Sequence, residues 1–281
     1  MRLFKFRAAY QDKNGNCRDL DALRSSKLWF SKVNFLNDPY EGRSTYSFNN
    51  INDSLRKKVL TKYYERKGHS AVESKGMVKK EFKNPDASGN VDEFMSNNFL
   101  HFYASHLELI SICSMSMAGS DDIFPPPLNS MMMWAHYANG FQGFCLEFDG
   151  KSLVESMREN GHAIDCFPID YPENDELPII DLRNYYKDYL DNGLRSTDSI
   201  LKASSTKSRC WNYEREIRLI GDDGYNSYDV KALKAIYLPN KAPKFLIDSI
   251  DEFKKTQNLS FDIYVVELHS HKYAFGYRKL E

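Results

Sequence analysis

The residues best suited to chemistry lie in Trp211-Asn212-Tyr213-Glu214-Arg215-Glu216-Ile217-Arg218-Leu219-Ile220. Alternation predicts a strand here, with Arg215, Ile217 and Leu219 on one face and Glu214, Glu216 and Arg218 on the other. Three charges on one face make either a solvated edge or the wall of a site. Two further predicted strands end in polar residues: Arg2-Leu3-Phe4-Lys5-Phe6-Arg7 closes on Arg7, and Lys27-Leu28-Trp29-Phe30-Ser31 closes on Ser31. An arginine fork suits a diphosphate, a hydroxyl orients a ribose or a carboxylate, and a glutamate stabilises an oxocarbenium-like centre. Cleavage of a nicotinamide glycosidic bond needs that set, and only the fold can bring it together.

Other residues carry alternative chemistries. The loop Asn34-Phe35-Leu36-Asn37-Asp38-Pro39-Tyr40-Glu41-Gly42 has turn composition between aromatic anchors. Asp38 and Glu41, with Glu214 and Glu216, could supply oxygen ligands to Mg²⁺ or Mn²⁺ in a nuclease or other phosphodiesterase. Trp134, His136 and Tyr137 group beside a predicted core element; they read as packing with satisfied ring donors, as a ring-binding or base set, or as the aromatic cleft of a non-catalytic small-molecule sensor. The five cysteines (17, 113, 145, 166 and 210) show no C-x-x-C spacing and read as reduced thiols.

The elements that must position these residues follow from periodicity. Strands are expected at both ends of the chain, at 110–116, 143–148, 163–170, 211–220, 233–238 and 261–268. Residues 51–109 lack strand signals and read as helical, with a lysine- and arginine-rich first half that is either a solvated face or a guide for nucleic acid. Residues 83–91 read as a connection, and 119–129, with Asp121, Asp122 and three consecutive prolines, as a surface loop that is neither helix nor central strand. The pattern predicts one α+β domain over 1–281 with a mixed sheet and a helical insertion at about 51–109. A formal net charge of −1 excludes a general attraction to nucleic acid or anionic membranes, though not a local patch. No apolar run of about 20 residues is present to span a bilayer, so no membrane partner is expected and the expected location is the cytoplasm.

Four segments, taken in order, resemble the bacterial domain-of-unknown-function family 2971: Leu3-Phe4-Lys5-Phe6-Arg7; Leu28-Trp29-Phe30-Ser31 with Asn37-Asp38-Pro39-Tyr40-Glu41; Met133-Trp134-Ala135-His136-Tyr137-Ala138 with Gly143 to Asp149; and Trp211 to Arg218. A second resemblance is to ADP-ribosyltransferases of the Arg-Ser-Glu type. It implies a mainly antiparallel split sheet and NAD as substrate, with no resident metal. Arg7 would hold the diphosphate, Ser31 the nicotinamide-ribose side, Glu216 would be catalytic and Glu214 would position the acceptor. Asn37, Trp134, His136 and Tyr137 complete the expected cofactor-binding set. The sequence departs from that type in having Phe30-Ser31-Lys32 for the usual Ser-Thr-Ser, and in Arg218, which could pair with Glu216. The implied activity is modification of a macromolecular acceptor, nucleic acid or protein, as a toxin or phage-defence effector.

Overall fold

The computed structural model describes residues 1–118, 123–193 and 197–280. In chain order the elements begin β1 (Arg2–Arg7), α1 (Arg18–Arg24), β2 (Lys27–Lys32), β3 (Thr45–Ser47), α2 (Asp53–Arg66), α3 (Ala71–Glu81), α4 (Ala87–Leu107) and β4 (Ser111–Met117). The middle holds α5 (Pro126–Asn129), α6 (Met131–Tyr137), β5 (Phe144–Asp149), α7 (Gly150–Glu159), β6 (Asp165–Pro168), β7 (Ile179–Asp181), α8 (Leu182–Asn192) and α9 (Asp198–Ser204). The last part is β8 (Glu216–Gly221), β9 (Gly224–Ser227), β10 (Leu233–Pro239), α10 (Lys244–Thr256), β11 (Asp262–Leu268) and β12 (Phe275–Leu280).

The class is α+β with a mainly antiparallel sheet, and the chain divides into two compact units. The first comprises Met1–Leu36, Ile110–Glu173 and Lys207–Glu281; the second comprises Asn37–Leu109 and Asn174–Thr206. The helical segment read at 51–109 begins with α2 at Asp53 and lies in the second unit, which opens at Asn37 and takes in a later stretch whose short strand β7 pairs in parallel with β3. Inside the second unit Val59, Val78, Met95, Phe99, Tyr103, Tyr185 and Tyr186 are buried.

In the first unit the main sheet runs β12-β11-β10-β5-β1-β4-β2-β9, and β8 joins β4 to β6. Only period-2 alternation can bury both faces of such a sheet with different residues. Leu3, Cys113, Met115, Leu146, Ile217 and Leu219 pack on one face under α1, α7 and α10. Phe4, Phe6, Cys145 and Tyr237 pack on the other against Met133 and Trp134 of α6.

One edge of β4 is shared by two strands. Phe4 of β1 pairs with Ser116 while Ser31 of β2 pairs with Ile112, so β1 and β2 diverge between them. Lys5 Nζ donates to the Ser114 carbonyl in the stretch between, at 2.5 Å.

Two local expectations change. The strand expected from Trp211 begins only at Glu216, because residues Arg209–Glu214 form a 3-10 turn that Ser208 caps and Arg215 ends in the left-handed conformation, φ 46°. In the proline stretch, Pro126–Asn129 is a helical turn: prolines stand at its first positions, where a missing N–H costs nothing. The earlier part of that loop, 119–122 with Asp121 and Asp122, lies outside the described residues.

Candidate functional site

The turn and strand around Arg215 bring two carboxylates to one ammonium. Lys207 Nζ donates to Glu214 Oε2 at 2.6 Å and to Glu216 Oε2 at 3.0 Å. On the far side, Arg218 Nε donates to Glu216 Oε1 at 2.8 Å. The Tyr137 hydroxyl donates to Glu214 Oε1. All four charged side chains are buried, none more than 6% exposed.

Backbone contacts fix this arrangement. Glu216 N–H donates to the Tyr171 hydroxyl (3.0 Å), Ile169 N–H to the Glu216 carbonyl (2.9 Å) and Met117 N–H to the Arg215 carbonyl (2.9 Å). Lys207 is held by its own N–H on the Asp170 carbonyl (3.0 Å), and its ammonium lies 4.9 Å from the Trp211 ring centroid. A cation over an indole face is a favourable electrostatic contact.

The two glutamates differ in proton affinity. Burial opposes ionisation of Glu216, but the Arg218 guanidinium and Lys207 ammonium overcome it and hold the carboxyl down at about 2. For Glu214 burial wins over Lys207, and its pKa is raised. Lys207 itself, disfavoured by burial, is held protonated by Glu216 and Glu214, with its pKa raised. Opposite shifts on neighbouring carboxyls are how one site keeps a fixed anion beside a proton-exchanging group.

Above this cluster, α6 and the 3-10 turn form two rungs. His136 Nδ1 meets the Tyr213 hydroxyl at 3.0 Å at the solvent-facing end, and Tyr137 with Glu214 forms the inner rung. α6 stops where it does because Asn139 and Gly140 both take positive φ, which a helix cannot continue. Its last turn therefore presents His136 and Tyr137 together.

The other predicted residues do not join this cluster. Arg7 shares its face with Leu3, opposite that of Phe4, Ser116 and Glu216, and its Nε lies 3.7 Å from Asp19 Oδ1 of α1. Ser31 is on the face of Glu216 but pairs with Ile112, four residues along β4 from Ser116, about 13 Å away. The two do not converge on Glu216 as the resemblance implied. Trp134 is a core residue, 1% exposed, with Nε1 donating to the Leu128 carbonyl at 2.7 Å. Asn37 opens the second unit, where Asp38 accepts from the Tyr40 N–H (2.9 Å) and shapes its own turn. Among the described residues no group of three or more His, Cys, Asp or Glu side chains is placed to hold a metal ion. The Lys207 ammonium itself bridges Glu214 and Glu216.

Lys207 and Tyr171 were not singled out by the sequence. Nothing in their spacing marks them, since each arrives from a segment outside β8.

Residues 133–219 match the model of a family described as a protein of unknown function, DUF2971. The matched span runs from α6 into β8 and includes Tyr137, Lys207, Glu214, Glu216 and Arg218. No curated protein and no solved structure matches the chain. Among the described residues, no helix is long and apolar enough to cross a membrane.

Proposed function

We propose that the protein is an enzyme of the ADP-ribosyl-transfer kind, cleaving the glycosidic bond of a nucleotide such as NAD with the Glu214–Lys207–Glu216 cluster as its reacting centre. The observation that supports this reading is the pair of buried carboxylates on one ammonium with proton affinities driven apart. Glu216, anionic at all ordinary pH, suits electrostatic stabilisation of an oxocarbenium-like centre. Glu214, with raised proton affinity and Tyr137 on its other oxygen, suits proton exchange with a leaving group or an acceptor. The reading keeps the two glutamates and leaves Arg7 and Ser31 out of the reacting centre.

The test is nicotinamide release from NAD, followed chromatographically, with candidate protein and nucleic-acid acceptors present. Wild type is expected to release nicotinamide and Glu214→Gln, assayed at a temperature where it remains folded, to lose about 100-fold or more. No release by wild type, or a wild-type rate in Glu214→Gln, overturns the proposal. A second reading is favoured by the burial itself: the cluster is a structural ion network that ties the 3-10 turn to β8. On that reading Glu216→Gln lowers stability while Glu214→Gln leaves every activity of the protein in place.

A further inference from the structure

Charge is unevenly distributed along this nearly neutral chain. Residues 53–83, which form α2 and α3, carry ten Lys or Arg against four Asp or Glu, leaving 28 against 35 in the other 250 residues. A net charge near zero therefore conceals a strongly cationic helical hairpin.

The nearby acids are already engaged. Glu73 closes the capping box of α3 with Ser70, Glu81 accepts from the Tyr64 hydroxyl, Glu65 pairs with Lys62, and Asp53 lies against Arg56. Lys57, Lys75 and Lys79 have no carboxylate within ion-pair distance among the described residues. They line one concave site of about 360 Å³ with Thr61, Val78 and Phe82. Spacing explains the convergence: Lys57 and Thr61 are one turn apart on α2, Lys75 and Lys79 one turn apart on α3, and the two helices pack side by side. The Phe82 ring, half-buried, forms a wall with the Lys57 ammonium 4.7 Å from its centroid.

Three lysines and an aromatic ring lining one hollow are the parts of a single-strand binding groove, where cations track the sugar-phosphate backbone and a ring stacks on a base. We infer that the α2–α3 hairpin is a binding surface for single-stranded nucleic acid. An anionic bilayer fits less well, because a helix lying in the interface needs a continuous apolar face, and the large apolar side chains that α2 and α3 expose are Val72 and Met77. This inference rests on the hairpin alone and stands or falls separately from the chemistry at Glu214.

The experiment is fluorescence anisotropy of labelled 20-nucleotide DNA and RNA strands with the full chain between 50 and 200 mM KCl. Wild type is expected to bind, and the variant carrying Lys57→Glu, Lys75→Glu and Lys79→Glu to lose at least tenfold in affinity at 50 mM. The same positions changed to Ala should lower the slope of log K against log salt by about 2, from three lysines at about 0.7 each. Lys151→Glu, Lys241→Glu and Lys244→Glu together change the total charge equally and should cost less than threefold. No binding of either strand at 50 mM overturns the inference. So does an equal loss in the control variant, or capture by phosphatidylserine vesicles with the same three-lysine dependence and none by oligonucleotides.

Discussion

Replacing Lys207 by Met tests the central cluster most directly. The substitution keeps the side-chain volume and removes the cation shared by Glu214 and Glu216. Breaking one partner out of a buried ionic network costs about 3–5 kcal/mol, and here the loss has a pH signature. Burial raises the Glu214 pKa and Lys207 is the foremost group opposing that rise, ahead of Tyr137, so without the ammonium its proton affinity rises further. A carboxyl whose folded pKa lies above its unfolded value binds the proton more tightly in the folded state, so stability rises as pH falls through that window, by about 1.4 kcal/mol per pH unit. Urea unfolding followed by tryptophan fluorescence reads the relevant unit, since Trp29, Trp134 and Trp211 all belong to it. The expected result is the full loss at pH 8, a clearly smaller one at pH 5, and removal of that difference when Glu214→Gln is added. A loss below about 1 kcal/mol at pH 8, or the same loss at both pH values, refutes the reasoning.

Two other outcomes follow from the same geometry. Glu216, held at about 2 against an ordinary 4.5, should contribute about 3 kcal/mol that is fully present above about pH 5 and lost as pH falls towards 2; Glu214, shifted the other way, opposes part of that loss, and Glu216→Gln should flatten the acid limb of a melting-temperature profile. A β-carbon at Gly143 would stand 1.9 Å from the Arg7 carbonyl oxygen, so Gly143→Ala should force β1 and β5 apart and lower stability by about 3 kcal/mol, read as a fall in melting temperature.

Much of the fold could be read from the sequence because the sheet of the first unit obeys period-2 burial: β1, β2, β4, β5, β10 and β11 stand within a residue or two of their predicted bounds. Short edge strands escaped. β3, β7 and β9 have three or four residues each, too few for alternation to register. At the site, Arg218 was legible as a partner for Glu216 because they share a strand face two residues apart. Lys207 was not, because it reaches both carboxylates from outside that strand. The Arg7, Ser31 and Glu216 set failed as a unit for a related reason: alternation along one strand places side chains on faces, but says nothing of which face of one strand matches which face of another. That match is made by pairing, and β1 enters the sheet with Arg7 on the far side.

The left-handed residue between the two glutamates gives the pair an unusual kind of adjustability. In a continuous strand, residues i and i+2 are held about 6.6 Å apart by the pleat, and no single substitution alters that spacing. Here Glu214 ends a turn and Glu216 begins a strand, with the one φ/ψ pair of Arg215 joining them. The separation of the acids is thus governed by a swivel, clamped by Met117 N–H on the Arg215 carbonyl and by Arg215 N–H on the Asn212 carbonyl. A change of residue at 215 can shift how far apart two charges stand, and so how strongly each resists losing its proton, while leaving both glutamates and their lysine in the sequence.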